Sequence, residues 1–192
     1  MTVDVGLLIL RVVIGLTLAA HGSQKMFGWF SGPGLKGFSG GMTRMGLRPP
    51  LFWATLAALG EFGGGLLFAL GLLTPLGALG IMGAMFVALI KAHLPKGFWN
   101  SKGGIEFTLT LWTVAFAVGL AGPGALSLDH LFGLPVNQPL AFVIATVLLS
   151  AALYVVLRVS KPQATQAQPA PAQPAQPTAQ PDSQPTTAGK SA

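Results

Sequence analysis

The stretch 8-LILRVVIGLTLAAHGSQKMFGW-29 decides how the chain is read. It is apolar enough to lie in hydrocarbon, yet it carries Arg11, His21 and Lys25. At 100° per residue, Lys25 projects about 40° from Arg11 around a helix, and His21 lies between about 40° and 80° from the two. The three cations form one stripe, with Arg11 toward one end of the helix and His21 and Lys25 toward the other. Charged groups within a span usually face protein and require a partner.

Working outward, the composition agrees with a membrane chain. Of 192 residues, 52% are hydrophobic and 8% charged, against roughly 25% charged in soluble domains. The net charge of +6 is scattered between apolar runs, which argues against nucleic acid. With no cysteine, disulfides, thiolate redox catalysis and cysteine-held iron–sulfur clusters are excluded.

A hydrocarbon core about 30 Å thick requires roughly 20 apolar residues in a helix. Five runs approach that length, over Val5–Lys25, Leu51–Leu73, Leu76–Ala92, Ile105–Ala121 and Leu140–Leu157. None has the alternating pattern of a transmembrane β-barrel. The start, MTVD, is acidic, and Arg11 interrupts the first apolar run, so that run is read as a spanning helix and not a cleaved signal peptide. Five spans put Lys25, Lys36, Arg44 and Arg48, then Lys91, Lys96 and Lys102, then Arg158 and Lys161 on one side. The positive-inside rule makes that side cytoplasmic, with the N-terminus outside and the C-terminus inside.

Between the first two spans, Leu35, Phe38, Met42 and Met45 recur at helical spacing, predicting a short interfacial helix. Phe98 and Trp99 beside Lys96 read as interfacial anchors. From residue 161 onward, Pro, Ala and Gln predict a disordered tail with polyproline II character. The domain reading is therefore a core over 1–133, an additional helix over 134–160 and a tail over 161–192.

The partner expected for the cationic stripe is Glu61, in 57-AALGEFGGGLLFALG-71. A carboxylate in mid-span has no route to water. Gly60 and Gly64 have the small-xxx-small spacing that admits a close helix, so the first helix is expected to pack there and bring the stripe to Glu61. His93 and Glu106, near the same end, extend the candidate pocket. Glu106 also suits the start of a helix, where it complements the dipole, and Arg11 also suits a purely structural counter-ion for Glu61. No HxxxH or ExxH spacing supports a metal.

The segments LRVVIGLTLAAHGSQKMFGW (10–29), GLRPPLFWATLAALGEFGGGLLFALGLLTPLGAL (46–79), KAHLPKGFWNSKGGIEFTLTL (91–111) and GPGALSLDHLFG (122–133) together resemble the DoxX family of small bacterial integral membrane proteins. The resemblance implies an all-α transmembrane bundle, with a four-helix core to which this chain adds a fifth helix. It places Arg11, His21, Lys25, Glu61, His93 and Glu106 at the bundle's polar positions. It also implies a bacterial inner-membrane location and a link to redox systems, including thiosulfate:quinone oxidoreduction and membrane complexes with soluble redox enzymes.

Three functions are consistent with these residues. The first is a quinone-linked oxidoreductase subunit, in which Glu61 and His21 exchange protons while Arg11, Lys25, His93 and Glu106 line the substrate site. No haem, flavin, NAD or iron–sulfur signature is present. The second is a non-enzymatic anchor recruiting a cytoplasmic redox protein. The third is a small-molecule or proton-coupled transporter, for which inverted repeats and broken helices are lacking. A homo-oligomer is compatible with each.

Overall fold

A computed structural model describes residues 1–160; the expected tail over 161–192 lies outside the described residues. Helix α1 spans Thr2–Phe27 and the short α2 Gly34–Arg44. Helix α3 runs Pro50–Leu70, with its proline in the first turn, where the missing N–H costs nothing. Helix α4 (Thr74–Ala88) continues through one π turn, Leu89–His93, and a 3₁₀ turn, Leu94–Lys96. Then follow α5 (Glu106–Ala121), the single turn α6 (Leu128–Leu131) and α7 (Pro139–Val159). Each expected span is helical. Four helices are long and apolar enough to cross a membrane, whereas α5, also apolar, has 16 residues, about 24 Å of rise.

Helix α3 is the central element, packed between α1 and α4, while α4 also contacts α5 and α7. Successive long helices run antiparallel. Gly15 and Gly22 of α1 face Gly65 and Phe62 of α3, and Gly60 and Gly64 of α3 face Gly80 and Gly77 of α4. Helix α7 runs parallel to α4, with Gly83 against Leu149 and Leu153 and the Lys91 ammonium donating to the Ser160 carbonyl at 2.8 Å. Lys25, Lys36, Arg44, Arg48, Lys91, Lys96, Lys102 and Arg158 therefore gather at one end, called here the basic end. The neutral end holds the α3–α4 turn and the 122–138 segment.

Close approach fixes two of these interfaces. A Cβ on Gly22 would lie 2.3 Å from the Phe62 nitrogen, and one on Gly60 would lie 2.7 Å from the Gly80 carbonyl oxygen. The expectation that α1 packs on the Gly60/Gly64 face is therefore corrected, because α4 occupies it. Helix α1 lies on the adjoining face, through Gly65 and Phe62. Both helices approach glycine, but on different faces of α3.

Two apolar clusters fill the bundle. Leu18, Phe68, Ile81, Met82, Leu111 and Val118 form the larger one. The second, nearer the basic end, joins Met42 of α2 and Leu47 to Ala54, Val87, Leu153 and Leu157. It holds the expected interfacial helix α2 against α3, leaving Lys36 and Arg44 exposed.

Candidate functional site

The Lys25 ammonium donates to both carboxylate oxygens of Glu61, joining α1 to α3 near the basic end. The Glu61 side chain is 2% exposed and that of Lys25 is 25% exposed. The same ammonium lies 5.0 Å from the centre of the Phe38 ring, a cation–π contact that brings α2 onto the pair. One cation thus ties three helices, and the expected union of the stripe with Glu61 holds for Lys25.

It does not hold for Arg11. Fourteen residues, about 21 Å of helix, separate it from Lys25. Arg11 is fully buried at the neutral end, packed against Gly71, where its guanidinium donates to the Leu126 carbonyl. The loop that supplies this acceptor also carries the buried Asp129. The reading of Arg11 as a counter-ion for Glu61 is therefore replaced by an arrangement around the loop after α5.

Asp129 is the residue that inspection of the spans alone overlooks. It is fully buried and accepts three hydrogen bonds, from the Leu73 amide (2.6 Å), the Thr74 amide (2.9 Å) and the Thr74 hydroxyl (2.7 Å). Its own amide donates to the Gly71 carbonyl at 2.7 Å. Leu73 has φ 46°, a left-handed conformation that costs a non-glycine residue about 1–2 kcal/mol; the carboxylate holds it there. Ser127 caps α6, its hydroxyl accepting from the His130 amide at 3.1 Å. Asp4 of α1 accepts from the Ala125 amide at 2.9 Å, so the same loop is held to α1 at two points. The available signal was Ser127 placed to cap a turn carrying Asp129, together with the need of Arg11 for acceptors at its own end.

The other candidates take separate places. His21 is exposed and makes an edge-on contact with Phe107 of α5, with ring centres 6.3 Å apart. His93 bonds through Nδ1 to the Gly103 carbonyl at 2.7 Å, and Glu106 accepts from the Asn100 amide at 2.9 Å. These two close the 97–105 loop on itself. Neither is hydrogen-bonded to the Lys25–Glu61 pair.

Residues 6–94 match the DoxX family model. The match supports DoxX family membership over this stretch, a little under half of the chain. The DoxX match takes in Arg11, His21, Lys25, Glu61 and His93, and leaves Glu106 and Asp129 outside, whereas the resemblance read from the sequence ran to Gly133. No curated protein and no solved structure matches the chain.

Apart from these polar contacts, a groove of about 340 Å³ runs between α3, α4 and α7. Trp53, Gly60, Gly63, Gly80, Gly83 and Leu153 are among its walls, and none of the six candidate residues lines it. Chemically, the bundle has an ion pair toward one end, a carboxylate-capped turn beside a buried arginine at the other, and an apolar groove along one flank.

Proposed function

We propose that this integral membrane protein is a non-catalytic component of a redox system, holding a soluble redox enzyme at the membrane through its basic end. The observation that carries this reading is the dispersal of the six candidate residues. A quinone site needs donors and a proton carrier converging on one headgroup. Here Arg11 is engaged with Leu126, Lys25 with Glu61, and His93 and Glu106 with their own loop.

The basic end suits recruitment. Lys36, Arg44, Arg48, Lys96, Lys102 and Arg158 are exposed there, while the carboxylates of Glu61 and Glu106 already have partners. Such a surface fits an acidic face on a soluble protein. The positive-inside rule makes this end cytoplasmic, and the resemblance to DoxX proteins makes the membrane a bacterial inner membrane. The redox assignment rests on the resemblance to DoxX proteins.

A second reading, the quinone-linked oxidoreductase subunit, draws support from the Lys25 side chain, which stays one-quarter exposed beside Glu61. It keeps Glu61 and His21 as the proton carriers. Mass spectrometry of quinones extracted from the purified protein separates the two. The anchor reading expects no stoichiometric quinone in wild type or in a folded Glu61→Gln variant. Stoichiometric quinone in wild type, lost in that variant, would overturn it in favour of the second.

A further inference from the structure

The groove between α3, α4 and α7 has a defined length, width and polarity. Along α3 it extends from Trp53 to Leu67, about 21 Å at 1.5 Å per residue. Dividing 340 Å³ by that length gives about 16 Å² open to the centre of a water molecule, or about 7 Å between walls once a radius of about 1.4 Å is added on each side, still narrower than the 10–12 Å of a helix. It therefore admits a single file of methylene groups and not a helix from a second copy. Its walls are Gly, Ala, Val, Leu, Met and one Trp. The indole N–H of that Trp53 already donates to the Arg48 carbonyl at 3.2 Å. Whatever lies within is hydrocarbon, and any polar group it carries lies at an end.

The ends differ in charge. At the basic end the groove reaches Met42 and Leu47, and Arg48 follows directly. The Arg48 side chain is exposed on an adjoining cleft with Thr43, Pro49 and Pro50, and exposed Arg44, the last residue of α2, lies four residues earlier. At the neutral end the walls close with Leu67 and Leu76. A guanidinium presents a rigid fork matched to phosphate oxygens. One leaflet contributes about 15 Å of hydrocarbon, half of a core about 30 Å thick. A chain entering at Trp53 thus reaches the level of Gly63, ten residues along α3.

We propose that this groove holds one acyl chain of an anionic phospholipid from the leaflet at the basic end, with its phosphate on Arg48. The inference is independent of any redox role. Gly63 supplies a clean test, because a Cβ there meets nothing within 4 Å. Helical side chains lean toward the N-terminus, so Gly63→Leu projects into the groove toward the basic end without disturbing a helix contact.

Protein reconstituted in vesicles of phosphatidylcholine and phosphatidylglycerol at 9:1 is extracted in mild detergent and weighed by native mass spectrometry. Wild type retains one phosphatidylglycerol per chain against the ninefold excess of the zwitterionic lipid. Arg48→Gln lowers that retention about fivefold, the effect of one basic residue at an anionic surface, and Gly63→Leu abolishes it while helicity and melting temperature stay at wild-type values. Retention of the two lipids in the vesicle ratio, or unchanged retention in folded Gly63→Leu, overturns the proposal. So does displacement of phosphatidylglycerol by an equal mole fraction of long-chain quinone, which would assign the groove to an isoprenoid tail.

Discussion

The Lys25–Glu61 pair makes an asymmetric prediction. In Lys25→Met, Glu61 remains with its side chain 2% exposed and loses both of its hydrogen bonds. Removing one partner of a buried pair costs about 3–5 kcal/mol, because the other charge stays buried. In Glu61→Gln the remaining ammonium belongs to a side chain already 25% exposed near the basic end, and it can turn toward the interface. That variant is expected to lose about 1–2 kcal/mol, the order of a hydrogen bond to a charged group. Combining the two substitutions leaves no charge to strand, so the double variant should regain about 2 kcal/mol relative to Lys25→Met alone. The assay is reversible unfolding in mixed micelles with a rising dodecyl sulfate fraction, followed by tryptophan fluorescence, on all four proteins. Two results would refute the reasoning. One is additivity within about 0.5 kcal/mol, the behaviour of independent sites; the other is Glu61→Gln being the more damaging single change.

Five further variants use the same unfolding assay. Asp129→Asn keeps one acceptor oxygen where the carboxylate serves three donors at Leu73 and Thr74; it should cost about 2–3 kcal/mol, and a loss below 0.5 kcal/mol would show that the carboxylate does not hold the turn. Gly22→Ala places a Cβ 2.3 Å from the Phe62 backbone and should prevent α1 from seating on α3. Gly63→Ala meets open space and should be neutral or stabilising by up to about 1 kcal/mol. Glu106→Gln and His21→Leu should each change stability by less than about 1 kcal/mol. The former alters one partly exposed hydrogen bond and the latter removes none, so a larger loss in either would place that residue in the bundle's polar core.

What was legible in the sequence followed from constraints acting within one segment. Length and hydropathy mark each helix, because an unpaired backbone in hydrocarbon is prohibitive. The sorting of lysine and arginine to one end follows from counting spans. Lys25 and Glu61 were a readable pair because a mid-span carboxylate needs a cation at its own depth, and the stripe supplied one. The Gly60/Gly64 spacing announced a close helix but not which one. Small residues permit approach without naming the neighbour, and α4, joined to α3 by a short turn, took the face assigned to α1.

Arg11 was unreadable for a different reason. Its acceptor, the Leu126 carbonyl, stands 115 residues away in sequence, in a loop whose apolar content gives no sign that it folds back into the end of the bundle. That fold-back depends on Asp129, and Asp129 becomes necessary only once Leu73 adopts a left-handed conformation between α3 and α4. The carboxylate satisfies the turn and sets a negative charge near a buried guanidinium at the same time. Polar residues scattered through the spans are thereby used at the two ends of the bundle, as Lys25–Glu61 at one and Arg11 with the Asp129 loop at the other. On the anchor reading, the surfaces that serve function are the exposed arginines and lysines of the basic end and the apolar groove that opens beside them.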